Sequence, residues 1–168
     1  MSRDGICEAM TAILRERTRW DEAPCLYSIY REAGRVRFSP VLPEGSWPSG
    51  PPAQVLTTLA ADLSQFHGDA VAAITSPDLA GFAFRTEIWG VRGPAGRARE
   101  LAAGPRPSLH PDRVEQRFMW AVTCDGTHYV AMQSRGERAI LACKPDAHTG
   151  EIPRALEQMI RTVTAGAN

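Results

Sequence analysis

Between Val114 and Val122 apolar and polar positions alternate: Val, Gln, Phe, Trp and Val take the even numbers, Glu, Arg, Met and Ala the odd ones. A period of two suits a half-buried strand, whereas a helix would scatter the same residues around its circumference. Asp125-Gly126 follows, a dipeptide tolerant of positive φ at both positions, and it predicts a primed hairpin turn with a returning strand over Thr127–Arg135. Ser134-Arg135-Gly136-Glu137 signals a second reversal, and Arg138–Cys143 a short third strand. The other elements are expected to pack around this meander, Arg113 to Leu141.

Upstream, Ile6, Met10, Ile13 and Leu14 fall at helical spacing, with Glu8, Arg15, Glu16 and Arg17 on the wet side and Asp4 placed to cap, so a helix is expected over 4–18. Glu22-Ala23-Pro24 ends that segment, because the residue before proline avoids helical ψ. Cys25–Arg31 and Arg35–Val41 then read as a hairpin about Glu32-Ala33-Gly34. Leu42–Pro52, rich in Pro and Gly, is a loop. Pro51 or Pro52 opens a second helix to Phe66, with Val55, Leu56, Leu59, Leu63 and Phe66 as its stripe and His67-Gly68 as its stop.

Gly81–Val91 is a strand with Phe82, Phe84 and Ile88 on one side and Arg85, Glu87 and Trp89 on the other. The connection 92–111 is irregular apart from one helical turn at Arg97–Ala103. Ile152-Pro153 starts the last helix, striped by Leu156, Met159, Ile160 and Val163. The expected fold is a single α+β domain over 1–168. It has one antiparallel sheet of five to six strands, three helices mainly on one face, and the order α-β-β-α-β-β-β-β-α, with irregular loops near 42–52 and 92–111.

Charge narrows the partners. Lys plus Arg and Asp plus Glu number 19 each, so no net field draws the chain to nucleic acid or an anionic membrane, and neither is expected as a partner. Lys144 is the sole lysine and Asn168 the sole asparagine, a bias that points to GC-rich coding sequence of a bacterium or its phage. No stretch approaches the ~18 apolar residues of a membrane helix, and the amphipathic start is no signal core, so a cytoplasmic protein is expected. Cys7, Cys25, Cys124 and Cys143 include no Cys-x-x-Cys and read as small hydrophobes in a reducing compartment.

Four constellations offer chemistry. Away from the face that carries Phe82, Phe84, Ile88, Val114, Phe118, Trp120 and Val122, alternation gathers Arg85, Glu87, Arg113, Glu115 and Arg117. Of these, Arg85, Glu87, Glu115 and Arg117 are candidates for anion binding or acid–base work if a cleft dehydrates them, while cross-strand pairing on a solvated face explains the same residues with no function needed. On the same face Trp89, Val91 and Met119 form an apolar end that a dimer partner, another protein or the chain's own loop is expected to cover, with Trp89 beside Met119. Cys124, His128, Cys143 and His148 have zinc-compatible donors, but their spacing matches no compact zinc motif.

Gly90 to Ala98 follows a strand and precedes the expected helical turn, the arrangement that presents backbone amides to an anion. The stretch Gly93-Pro94-Ala95-Gly96-Arg97-Ala98 resembles the Arg/Gln-x-x-Gly-x-Gly/Ala pyrophosphate loop of acetyl-coenzyme A dependent N-acetyltransferases, with Gly93 standing where that family has Arg or Gln. The resemblance implies an acyl-coenzyme A contact at Gly93, Gly96 and Arg97. No nucleotide P-loop or serine elbow is present, and His110-Pro111-Asp112 reads as a turn. The leading expectation is a non-enzymatic protein without cofactor that acts through protein contact or as a homodimer: an accessory, adaptor or phage-encoded component. The alternative is an anion-binding enzyme built on the charged face and the Gly90–Gly96 loop.

Overall fold

The computed structural model describes residues 4–43, 45–61, 76–91, 107–137, 141–144 (main chain only) and 150–166. In chain order these form α1 (Asp4–Glu16), β1 (Cys25–Glu32), β2 (Arg35–Pro40), α2 (Pro52–Ala61), β3 (Leu79–Val91), a 3-10 turn (Pro107–Leu109), β4 (Arg113–Thr123), β5 (His128–Ser134), β6 (Leu141–Lys144) and α3 (Glu151–Gly166). This is the expected α-β-β-α-β-β-β-β-α order. The expected continuation of α2 to Phe66, the helical turn at 97–103 and the start of the last strand at 138–140 lie outside the described residues.

One six-stranded sheet runs β2-β1-β3-β4-β5-β6, every neighbour antiparallel. α2 and α3 share one face of it. There Leu56 and Ala60 from α2, and Leu156, Met159 and Ile160 from α3, close over Leu26, Phe82, Phe84 and Val122. α1 takes the opposite face, setting Ile6, Met10 and Leu14 on Tyr27, Ile29, Met119 and Ala121. Ala83, Ala121 and Ala131 make that surface shallow, so the helix can approach closely; Met10, Leu14 and Met119 are each fully buried. Each such side chain contributes about 1.5–3 kcal/mol relative to exposure. Sheet positions that alternation set on the side away from the main helices are thus covered by the first helix of the chain.

The turns decide where strands stop. Ala33 (φ 48) and Gly34 (φ 79) form a two-residue loop between the paired Glu32 and Arg35, so the β1–β2 hairpin is the primed one. At Asp125-Gly126 the expected primed turn is corrected. Only Gly126 has positive φ, Gly126 N–H donates to Thr123 O, and Thr123 N–H donates to Thr127 O, giving a longer loop with one left-handed residue. Gly81 sits where β3 crosses tightly over β4. A Cβ there would meet Val122 O at 2.2 Å, and its φ of 154 already disfavours side chains.

Candidate functional site

β3 and β4 pair as Arg85↔Met119, Glu87↔Arg117 and Trp89↔Glu115. The alternation therefore does bring Arg85, Glu87, Glu115 and Arg117 onto one face, and the α1–β1 connection lies over them. Arg117 is fully buried. Its Nε and Nη2 donate to Glu87 Oε1 at 3.0 and 2.7 Å, Nη1 donates to Arg17 O at 2.9 Å, and Nη2 also reaches Arg19 O. Its guanidinium lies 4.6 Å from the Trp20 ring centroid, and Arg135 stacks near the same ring at 5.6 Å. Asp21, held at φ 66, donates its main-chain N–H to Glu87 Oε2 at 2.7 Å.

Arg85 works in the same way one pair along. It is 2% exposed; Nη1 donates to Glu22 Oε2 at 2.8 Å and Nη2 to Ala23 O at 3.3 Å. Glu22 also faces Arg17 at 3.6 Å. Glu115 is bound by Arg135, whose charge the hydrogen bond to Glu115 stabilises further. Two buried arginines on adjacent strands thus fasten residues 17–23 through main-chain carbonyls, while Glu22, Glu87 and Glu115 balance them. The missed residues are Trp20, Asp21 and Glu22. They carry no periodicity; the only available signal was an aromatic set among charges, Arg17 to Glu22, just after a helix.

Carboxylate oxygens of Asp21, Glu87 and Glu115 come within 4.8 Å of one another. Arg117 and Arg135 already occupy Glu87 Oε1 and Glu115 Oε2, so the group reads as one ionic network. The zinc-compatible set is not assembled among the described side chains. His128 Nε2 meets Glu157 on α3 at 2.9 Å, and exposed Cys124 points its thiol to Leu79 O. Burial raises the Cys124 thiol above its ordinary value, with Asp125 adding to the shift, which disfavours the thiolate a metal needs. The side chains of Cys143 and His148, and the loop residues Gly93, Gly96 and Arg97, lie outside the described residues.

The expected apolar end is corrected. Met119 is fully buried under α1 and sits opposite Arg85, four positions from the Trp89 pair; Trp89 is 44% exposed, and Val91 is half-buried opposite Arg113. The Arg113 guanidinium lies 5.5 Å from the Trp89 ring centroid. Beside them Asp112, Val114, Glu115 and Arg135 border an open hollow of about 460 Å³.

A second, more enclosed cavity of about 440 Å³ opens at the other side of the connection. It lies between residues 17–24, the start of β1 and the loop after β2. Arg85, Cys25 and Trp47 line it, the last with its ring 5.1 Å from Phe84. Nearby, burial raises the Tyr27 phenol above its ordinary value; the Cys25 thiol adds to the shift and Arg85 opposes it.

No protein-family model matches this chain, and no curated protein or solved structure is significantly similar to it.

Proposed function

We propose that this chain is a non-catalytic protein-contact module of the cytosol that docks through the outer end of the β3–β4 ribbon. The observation that carries the reading is where exposed apolar surface lies. Among the described residues the exposed large hydrophobics are Ile88, Trp89 and Leu109, at 38, 44 and 70%. All three lie on that ribbon or on the 3-10 turn that packs against both its strands. The last β1 partner of β3 is Arg85, so residues 86–91 pair with β4 alone and carry Ile88 and Trp89 outward.

A solvent-facing tryptophan with an arginine over its ring, beside a hollow, has the composition of an interface hot spot. The charged quartet supports the same reading from the other side: Glu87 pairs with Arg117, Arg85 with Glu22, and Glu115 with Arg135, which leaves them little to offer a reacting group. Among the described residues no helix is long and apolar enough to cross a membrane.

The test is site-specific photo-crosslinking in cells, with benzoylphenylalanine at Trp89 and, as control, at Arg161, whose side chain is 69% exposed on α3. Position 89 should give a discrete adduct that position 161 does not, and a band at twice the chain mass would identify the partner as a second copy. Equal labelling from both positions, or none from 89, overturns the reading.

A further inference from the structure

Strand β3 outruns β1. The last β1 residue paired with it is Cys25, opposite Arg85, while β3 continues along β4 to Val91. Arg135 N–H donates to Glu115 O, so the main-chain groups of Glu115 face β5. In an antiparallel ladder the residue opposite then faces away too. This turns the N–H and C=O of Trp89 outward from β4, and by alternation those of Glu87 and Val91. Among the described residues no main-chain group takes up these donors and acceptors. The end strand β2 is guarded differently: it carries Arg35 and Arg37 and closes on Pro40, devices that discourage a further strand. The stretch from Glu87 to Val91 has no proline, lysine or arginine. Its one charged residue, Glu87, is held by Arg117 with 8% of its side chain exposed, and Ile88 and Trp89 are its exposed residues.

From this edge we infer that the docking surface at Trp89 takes an extended acidic peptide of a partner protein as an added strand, in the place that β1 leaves open. The inference rests on the docking reading above and gives it a binding mode: main-chain hydrogen bonds to residues 87, 89 and 91 supply affinity, and alternate side chains supply specificity. Every strand of the sheet is antiparallel to its neighbours, and the added strand is placed in the same sense. Its residues opposite Glu87, Trp89 and Val91 share the face of the Trp89 ring, and those between them share the face of Ile88. The two faces differ in chemistry. On the first, the Arg113 guanidinium lies 5.5 Å from the Trp89 ring centroid. Around the adjoining hollow Arg135 binds Glu115 and Asp112 faces His110 at 4.0 Å, which leaves Arg113 as the cation there without a carboxylate on it among the described residues. On the second, Ile88 offers apolar surface. A segment that alternates Glu or Asp with Val or Ile satisfies both.

The experiment titrates the full chain into the peptide Glu-Val-Glu-Val-Glu carrying a neutral dye, read by fluorescence anisotropy, with Lys-Val-Lys-Val-Lys as control. Saturable binding of the acidic peptide alone is expected. In the antiparallel pairing the main-chain groups of the glutamates face β3 and those of the valines face away. N-methylation of the central glutamate should therefore abolish binding, whereas N-methylation of a valine should change it by less than about twofold. Arg113→Gln alters an exposed side chain outside the buried ionic network and should weaken binding about tenfold. No saturation up to about 1 mM, equal binding of the lysine peptide, equal loss from both N-methyl positions, or unchanged affinity in Arg113→Gln each overturns the inference. So does a dimer in sedimentation that the peptide fails to dissociate, which would assign the edge to a second copy. The photo-crosslink at position 89 reports separately: a discrete adduct alongside any of these results keeps the docking surface and removes only the acidic strand.

Discussion

Replacing Arg117 by alanine tests the claim that the ionic network holds the fold. The side chain is fully buried, and its partner Glu87 has only 8% of its own side-chain surface exposed. Alanine would therefore strand a carboxylate whose remaining hydrogen bond comes from Asp21 N–H, and would deprive the Arg17 and Arg19 carbonyls of their donor. Breaking a buried pair by removing one partner costs about 3–5 kcal/mol, because the surviving charge is desolvated without compensation. For a chain of this size that is a fall in melting temperature of roughly 6–20 °C.

Lysine should rescue little, since a point charge cannot hold a carboxylate oxygen and two carbonyls together. The double variant Arg117→Met, Glu87→Leu should recover at least about 1 kcal/mol of the loss, because it removes the stranded carboxylate. Urea unfolding, followed by circular dichroism and by tryptophan fluorescence, measures these proteins together with the single variants Arg117→Met and Glu87→Leu that the cycle requires. A loss under about 1 kcal/mol in Arg117→Ala, or strict additivity in the double variant, would refute the reasoning.

Two further outcomes follow from the turns. Ala33 holds φ 48 in a primed turn, where a Cβ-bearing residue other than Asn or Asp is disfavoured, so Ala33→Asn should raise stability by roughly 0.5–1 kcal/mol in the same unfolding assay. Asp125 Oδ1 accepts from Thr123 Oγ1 at 2.5 Å and from Thr127 N–H at 3.1 Å, and the Thr123 bond is the main reason its carboxyl lies below the ordinary 3.8. Because the folded value is the depressed one, the stabilisation is present above pH 3.8 and is lost as pH falls through the folded value. The stability difference between wild type and Asp125→Ala should therefore be constant near neutrality and shrink below pH 4.

The register between β3 and β4 explains what alternation made legible and what it did not. Reading Trp89 beside Met119 placed the strands four residues out, about 13 Å along the strand. Four is even, so every residue kept its face: Arg85, Glu87, Glu115 and Arg117 were rightly grouped, as were Phe82, Phe84, Trp120 and Val122. The strands are joined through the long connection 92–111, and no tight turn pinned their offset. The stripe Ile6, Met10, Leu14 announced a buried helix face but could not name the sheet face that buries it. Trp20 to Glu22 stayed invisible because a connection anchored by side-chain-to-main-chain bonds leaves no periodic trace.

That connection joins the ionic network to the wall of the cavity. Arg117 grips its first half at the carbonyls of residues 17 and 19, and Arg85 grips its second half at Glu22 and Ala23; both arginines stand on paired central strands. The guanidiniums are set by ladder hydrogen bonds and by burial, whereas the main chain from 17 to 23 keeps its position through them. Loss of Arg117 acts on the same wall from the far side, since it releases the Arg17 and Arg19 carbonyls and frees Trp20, itself part of the cavity lining. The buried charges are thus better understood as the frame of the cavity than as its chemistry.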